Sequence, residues 1–320
     1  MKKSKHTILV PITDSSDYFA VNPLHKSADI LSENEAKCLK NNIDVEGNFT
    51  RNKYIVDEDT EKRAFKLAYL DFIDKREDEE TQLFFVPNYS CNFACSYCYQ
   101  EGYNPIQQKL TTEIIDAFFA YVATQFAQKK KYITIFGGEP LLPNEQQREL
   151  IAYFIKKATT AQLDIAIVTN GYTLLSYIDI LKKARIREIQ VTLDGTEQVH
   201  NNRRYLKGKQ STFNQIVEGI DACIEAEMPI NLRMVVDREN IDNLVEFSQF
   251  SIDKVWTKSP YFKTQIGRNY ELHFCNSTPD KLFDRATLYK KIYELLKEHP
   301  HIAEFYKPAF SISKYIAENE

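Results

Sequence analysis

The chain has 320 residues, of which 43% are hydrophobic and 27% charged, enough for one large globular domain and a small one. Its net charge of −4, with basic residues interspersed among acidic ones, excludes an extended basic surface for nucleic acid. No apolar run approaches the roughly 20 residues that span a bilayer, and the N-terminus does not match a signal peptide. We therefore predict a cytoplasmic protein with no membrane or nucleic-acid partner.

Residues 1–80 are predicted to form a small module. Strands are expected over residues 7–12 and 18–21, and the Ser32 and Glu35 pair matches a capping box that opens a helix to about residue 41. A second helix is expected over residues 59–74. Two strands with two helices indicate an α+β, winged-helix-like module. A packing extension of the larger domain is an equally open alternative.

From residue 82 the pattern alternates between strands and helices. Strands are predicted at 82–86, 132–136, 164–168, 188–193, 230–236 and within 261–274. Helices are predicted at 111–128, 144–157, 174–183, 213–226, 241–250 and 279–298. Such alternation is typical of parallel βαβ units with right-handed crossovers. The sequence therefore predicts an α/β fold, a partial (β/α)6 TIM-like barrel over residues 81–300, followed by a connector and helix over residues 301–320.

Three cysteines cluster directly after the first barrel strand. Cys91, Cys95 and Cys98 have the spacing C-x3-C-x2-C, which differs from the usual zinc and dithiol motifs. A [4Fe–4S] cluster normally takes four thiolates, so three would leave one iron open to a small molecule. Three incidental buried cysteines are the alternative. The other cysteines are scattered and predicted to be buried apolar residues: Cys38, Cys223 and Cys275.

Polar motifs follow the next predicted strands. Gly137 and Gly138 permit positive φ angles and close approach of a ligand to the backbone, with a plain tight turn as the alternative. Glu139, just past the strand, can meet an ammonium group through a charge-assisted hydrogen bond. Asn170 follows the third strand, and Thr192 lies near the end of the fourth. Reactive groups of such barrels lie at the carboxyl ends of the strands, so these residues are expected to share one site.

Taken together, these motifs resemble the radical S-adenosylmethionine (SAM) superfamily. The resemblance is carried by the cysteine motif with an aromatic residue before its last cysteine, by the segment 136–140 (Phe-Gly-Gly-Glu-Pro), and by the segment 193–195 (Leu-Asp-Gly) with the arginines that follow it. The last segment is similar to that of the peptide-modifying and sulfatase-maturing, SPASM-type subgroup. The resemblance covers roughly residues 80–275.

The resemblance implies a [4Fe–4S] cluster on the three cysteines and SAM at its open iron. It places the SAM amine at Gly137, Gly138 and Glu139, and the adenine against Tyr97. The further cofactor contacts that it implies are Asn170 and Thr192 to the ribose or carboxylate, Arg204 (with Arg203 as competitor) to the carboxylate, and Val235 (or Val236) beneath the adenine. His200 is expected to be a structural hydrogen bonder and Asp194 a loop cap. No catalytic side chain is identified.

The implied activity is reductive cleavage of SAM to a 5′-deoxyadenosyl radical that abstracts hydrogen from a side chain of a ribosomally made peptide or protein. Expected partners are this precursor peptide, bound by the N-terminal module through strand addition, and an electron donor such as flavodoxin or ferredoxin. Members of the subgroup usually continue into a cysteine-rich domain, which this chain is expected to lack. A truncated, non-catalytic or split relative that binds a precursor peptide or partner subunit is the alternative.

Overall fold

The structure, a computed structural model, describes residues 1–44, 46–98, 100, 109–269 and 279–307. These described residues fall into two compact units, Met1–Glu79 and Glu80–Lys307. Within these ranges no helix has both the length and the hydrophobicity needed to cross a lipid bilayer. Cys275 and residues 308–320, on which the sequence makes predictions, lie outside the described residues.

The first unit is an α+β module, as predicted. Its elements in chain order are β1 (Lys2–Lys3), β2 (Ile8–Pro11), β3 (Tyr18–Asn22), β4 (Ser27–Leu31), α1 (Glu33–Lys40), α2 (Asn48–Arg51), β5 (Ile55–Val56) and α3 (Glu58–Asp78). Strands β2, β3 and β4 form an antiparallel sheet in that order, and β1 pairs with β5. The predicted capping box opens α1: Glu35 N donates to Ser32 Oγ, and Ser32 N donates to the Glu35 carboxylate. Strand β4 was not predicted, because its Ser, Ala and Asp residues have low strand propensity and only pairing with β3 orders them.

The second unit contains a six-stranded, entirely parallel sheet. Its strands are β6 (Thr81–Phe85), β7 (Lys131–Ile135), β8 (Asp164–Thr169), β9 (Arg185–Thr192), β10 (Ile230–Val236) and β11 (Phe262–Arg268). Neighbours in the sheet are also neighbours in sequence, which is the order of a barrel wound in one direction. The partial TIM-like barrel is therefore confirmed.

Helices connect these strands. They are α4 (Thr112–Gln125), α5 (Glu145–Thr160), α6 (Leu174–Leu181), α7 (Glu197–Arg203), α8 (Phe213–Glu225), α9 (Leu244–Asp253), α10 (Arg285–Glu298) and α11 (Ile302–Phe305). Side-chain caps set several of their starts; Asn144, for example, accepts the N–H of Gln147 at 2.8 Å. Helix α7 was not predicted, because Val199 is its only aliphatic residue and it shows no hydrophobic periodicity.

Alternation along the strands separates the two faces of the sheet. In β10 one face enters the hydrophobic core beneath the helices, and its residues are Ile230, Leu232, Met234 and Val236. Arg233 and Val235 point to the opposite face, which we call the inner face of the sheet. The polar ends of the strands all lie at the same edge of the sheet, where the predicted site residues are found.

Candidate functional site

The cysteine loop follows β6 and is shaped by backbone pairing with a distant segment. Ala94 N donates to Tyr205 O at 2.9 Å, Ser96 N donates to Arg203 O at 2.9 Å, and the N–H of residue 207 donates to the carbonyl of residue 92 at 3.0 Å. Phe93 forms an isolated antiparallel bridge with Leu206. The loop is therefore held as a strand-like ribbon against the chain that follows α7.

The three thiols are free and partly buried within this loop. Burial raises the pKa of Cys91, and it raises the pKa of Cys95 to about 12, with the positive charge of Arg204 opposing both shifts. Among the described residues no three Cys, His, Asp or Glu side chains converge on a point that one metal ion could occupy. A cubane cluster binds each thiolate to a different iron, so its ligands do not need to converge in this way.

The glycine turn after β7 packs directly against the chain that leads into Cys91. Gly138 N donates to Asn88 O at 3.1 Å, and Glu139 N donates to Ser90 O at 2.8 Å. A Cβ on Gly138 would lie 2.2 Å from Ser90 O, and one on Gly137 would lie 2.4 Å from Asn88 O. Only glycine permits this approach, and Gly137 also has a φ of 154°.

Glu139 is fully buried beneath the turn, and its carboxylate accepts three hydrogen bonds from the protein itself. It accepts hydrogen bonds from Leu141 N at 2.8 Å, Thr169 Oγ1 at 2.7 Å and Asn170 N at 2.6 Å. Burial raises its pKa, and these three donors oppose that shift. In this structure the Glu139 side chain links the ends of β7 and β8 through these hydrogen bonds. Contact between the segment 137–139 and an amine stays a prediction.

Glu139→Gln is expected to lower the free energy of unfolding by about 1–3 kcal/mol, because the new amide N–H₂ must face a buried N–H donor. Urea titration monitored by circular dichroism measures this change. The matched control is Glu149→Gln on the exposed side of α5, expected to stay within about 0.5 kcal/mol of the parent. Equal stability of both variants would contradict the role of the Glu139 carboxylate.

Asn170 lies beside the first cysteine. Its Nδ2 donates to Asn92 Oδ1 at 2.8 Å and lies 3.9 Å from Cys91 Sγ, while its Oδ1 accepts the N–H of Tyr172 at 2.9 Å. Thr192 ends β9 at the same edge. Asn170, the predicted polar residue of the third barrel strand, therefore reaches the cysteine loop.

A buried network around Asp194 ties the cysteine loop to the ends of β9 and β10. Asp194 is fully buried and accepts hydrogen bonds from Tyr97 Oη at 2.6 Å, Arg203 Nε at 3.2 Å and Val235 N at 3.1 Å. Its backbone N–H donates to His200 Nδ1 at 3.2 Å, which supports the structural role expected for that histidine. Burial lowers the pKa of His200 far below its ordinary value, so the ring is neutral.

The two adjacent arginines have different environments. Arg203 donates to both carboxylate oxygens of Asp237, at 3.1 and 2.9 Å, and also pairs with Asp194. Arg204 is 9% exposed, donates to Tyr97 Oη at 2.8 Å, and has a buried Nε without a partner among the described residues. It forms no ion pair with any carboxylate in the part of the chain that the structure describes. The geometry thus favours Arg204 as the group available to an anionic ligand.

Val235 and Val236, which the sequence leaves as alternatives, point to opposite faces. Val236 is fully buried in the hydrophobic core, whereas Val235 lies on the inner face near the end of β10. The Val235 carbonyl accepts Asn240 Nδ2 at 2.9 Å. The inner face is the one available to a ligand, which favours Val235.

Sequence reasoning missed Asp237 and Asn240, both buried. Asp237 follows β10 directly, and the same strand-end position that drew attention to Asp194 could have identified it. A cavity of about 370 Å³ opens here beside Tyr97, with Asp237, Asn240 and Asn269 in its wall. Its volume is within the range of small-ligand pockets.

Comparison with known proteins gives one family and several relatives. The family model described as Radical SAM superfamily matches residues 85–251. A GTP 3′,8-cyclase of Campylobacter jejuni subsp. doylei is 29% identical over 170 residues, covering 51% of this chain and 50% of the relative. That of Campylobacter curvus is 25% identical over 169 residues, covering 50% and 49%. The chain therefore spans about half the length of these curated relatives.

Solved structures show the same fold at low sequence identity. Native anSMEcpe with bound AdoMet and Cp18Cys peptide has a TM-score of 0.54 at 18% identity, covering 69% of this chain and 60% of that one. Streptococcus suis SuiB bound to S-adenosylmethionine has a TM-score of 0.54 at 14% identity, covering 99% and 75%. SuiB bound to the precursor peptide SuiA has a TM-score of 0.52 at 15% identity, covering 99% and 74%.

Proposed function

Because the chain belongs to the Radical SAM superfamily, whose cofactors are a [4Fe–4S] cluster and SAM, we propose that Cys91, Cys95 and Cys98 hold the cluster and that the surrounding strand ends bind SAM. The sequence-based assignment to this superfamily is confirmed. The proposal for the individual residues is supported by the donor set: three free thiols lie in one loop, with the glycine turn on one side and Asn170 on another.

One observation carries the proposal for SAM. Arg204 is a buried guanidinium with an orphaned Nε and no carboxylate partner among the described residues, and its charge acts on Cys95. Burying an unpaired cation is costly, so such a group indicates an anionic partner that completes the site. The SAM carboxylate suits the Arg204 guanidinium, and the segment of the glycine turn is proposed to hold its amine.

When bound, the two cofactors supply a 5′-deoxyadenosyl radical by reductive cleavage of SAM. The protein itself orients the cofactors and shields them from water. The network of Tyr97, Asp194 and Arg203 fixes the cysteine loop against the strand ends, and the burial of Arg204 keeps its charge unscreened by water. The adjoining cavity of about 370 Å³ gives a substrate group room beside the loop.

For the substrate we propose a side chain of a ribosomally made peptide or protein. The fold match to SuiB covers 99% of this chain, including the first unit, whereas the match to anSMEcpe covers 69%. In the first unit β2 is an edge strand, and its Ile8 and Val10 are exposed. An extended peptide can add to such an edge through backbone hydrogen bonds.

GTP is a second candidate substrate. The relatives named GTP 3′,8-cyclase are up to 29% identical over about half of this chain. The match covers only about half of each relative's length. It therefore supports radical SAM chemistry more directly than it supports GTP as the substrate.

The test is anaerobic reconstitution followed by reduction with flavodoxin, ferredoxin or dithionite and measurement of 5′-deoxyadenosine. SAM cleavage would support an enzyme, and its absence from a protein that carries a full cluster would favour the non-catalytic alternative. Incubation with a peptide encoded next to this gene, or with GTP, separates the substrates by product mass. A cyclised nucleotide with no modified peptide would overturn the peptide proposal.

Arg204→Gln is expected to weaken SAM binding by about 10- to 100-fold, the loss of one charge-assisted contact, while the iron content stays near that of the parent protein. Isothermal titration of SAM into the reconstituted protein measures the affinity. Unchanged SAM affinity would remove the proposed role of Arg204.

Arg203→Gln is the informative comparison, because it leaves Asp194 and Asp237 buried without their cation. It should lower the free energy of unfolding by about 3–5 kcal/mol, measured by urea titration. A stable Arg203 variant with weakened SAM affinity would instead reassign the carboxylate contact to Arg203.

A further inference from the structure

A second cavity, of about 190 Å³, lies at the β11 side of the sheet, apart from the cysteine loop. Three arginines line it: Arg233 from β10, Arg268 from the end of β11 and Arg285 from the start of α10. Tyr289 and Tyr306 also line the cavity, and the rest of its wall is aliphatic. None of these residues belongs to the proposed cofactor site.

Within the described residues, the three arginines lack acidic partners. None forms an ion pair with a residue in the described ranges, although the chain contains 45 acidic and 41 basic residues. Arg233 Nε is buried without a hydrogen-bond partner, and Arg268 uses one N–H group to donate to Phe283 O at 2.6 Å. The cavity therefore concentrates positive charge that no carboxylate of the described residues compensates.

The acidic residue adjacent to Arg285 in sequence is already engaged. Asp284 precedes Arg285 and caps α10, where its carboxylate accepts Thr287 N at 2.9 Å and Thr287 Oγ1 at 2.7 Å. These bonds direct the carboxylate toward the helix backbone. Arg285 itself is exposed, so its charge is available to an incoming ligand.

Gly267 provides the space in which the Arg233 side chain lies. A Cβ on Gly267 would be 2.7 Å from Arg233 Nε and 3.0 Å from its Nη2. The missing side chain lets the guanidinium lie against β11, where the strand limits its movement. A guanidinium positioned in advance loses less conformational entropy when it binds a ligand.

We propose that this cavity binds a phosphate-bearing anion. Guanidinium forks match phosphate oxygens in a two-bond geometry, and a cluster of arginines without carboxylates is the usual protein site for such groups. The cavity is smaller than the roughly 300–1,000 Å³ that encloses a whole small-molecule ligand, so it fits a phosphoryl or diphosphoryl group. That group is either free in solution or the tail of a nucleotide.

Calorimetric titration of the full chain with orthophosphate, pyrophosphate and GTP tests this proposal. Pyrophosphate is expected to bind, and Arg233→Gln and Arg285→Gln should each weaken its binding at least 10-fold. Arg285 is exposed at the helix start, so that variant is expected to fold. Lys290→Gln, an equal charge change on the exposed part of α10 outside the cavity, is the matched control and should leave binding unchanged.

Comparison of the three ligands also distinguishes the two sources of the phosphate group. GTP binding more tightly than pyrophosphate, with the same loss in both arginine variants, would assign the cavity to a nucleotide tail; equal affinities would assign it to the free anion. Absence of binding by all three ligands, or binding that the arginine variants do not weaken, overturns the proposal. Because the measurement needs no radical chemistry, it stands apart from the SAM assays.

Discussion

Cys95→Ser is expected to abolish cluster binding, and with it all reductive cleavage of SAM. Cys95 is the middle thiol of the loop, and its neighbours Ala94 and Ser96 both pair with residues 203–205, which fixes the backbone at this position. A hydroxyl is a poor ligand for iron in such clusters, and two remaining thiolates cannot hold a cubane. Iron and sulfide content and the visible absorbance of the anaerobically reconstituted protein measure the loss.

Cys223→Ser provides the control for this substitution. Cys223 lies in α8, fully buried in the hydrophobic core, and burial raises its pKa to about 12. The control should lose some stability and keep its full iron load. If Cys95→Ser retained four irons per chain, or if Cys223→Ser lost them, the assignment of the cluster to this loop would be wrong.

Gly138→Ala is expected to have the next largest effect, because the added Cβ meets backbone on two sides. It would lie 2.2 Å from Ser90 O and 2.6 Å from Tyr89 O, and neither carbonyl can rotate away as a side chain can. The turn and the chain before Cys91 must separate, which breaks the bond from Glu139 N to Ser90 O. We expect a loss of about 3 kcal/mol or more in unfolding free energy, measured by urea titration, together with a lower iron load.

Gly208→Ala is the matched control, since a Cβ there meets only the flexible end of the Gln210 side chain. It should change the unfolding free energy by less than about 1 kcal/mol and leave iron content unaltered. Similar behaviour of the two alanine variants would show that the turn does not need to pack closely against the cysteine loop.

Local sequence patterns are sufficient for the barrel and for the neighbourhood of the site. Strands such as Ile230–Val236 are marked by a continuous apolar run between turn residues, and parallel strands bring their ends to one edge of a sheet. Position at a strand end is therefore enough to predict that Asn170 and Asp194 lie near the cysteines. The fold class and the superfamily are both confirmed.

Contacts between residues distant in sequence determine those details of the site that local sequence patterns cannot predict. Arg203 and Arg204 are adjacent and chemically identical, and the carboxylates of Asp194 and of Asp237, 34 residues away, distinguish them by engaging Arg203. Glu139 has the residue type of a ligand-binding acid, yet two of its three hydrogen bonds come from Thr169 and Asn170 at the end of the next strand. Which polar group is already satisfied depends on contacts distant in sequence, which local patterns do not report.

The pairing of the cysteine loop with the chain after α7 has a consequence for biogenesis. Residues 92–96 take their backbone partners from residues 203–207, which emerge from the ribosome more than a hundred positions later. A nascent chain that ends before residue 203 lacks the backbone partners of the cysteine loop, so it cannot hold the loop in this conformation. Contacts of such long range form late. If the loop binds the cluster as proposed, iron loading is expected to follow synthesis of residues 203–207, after the fourth barrel strand.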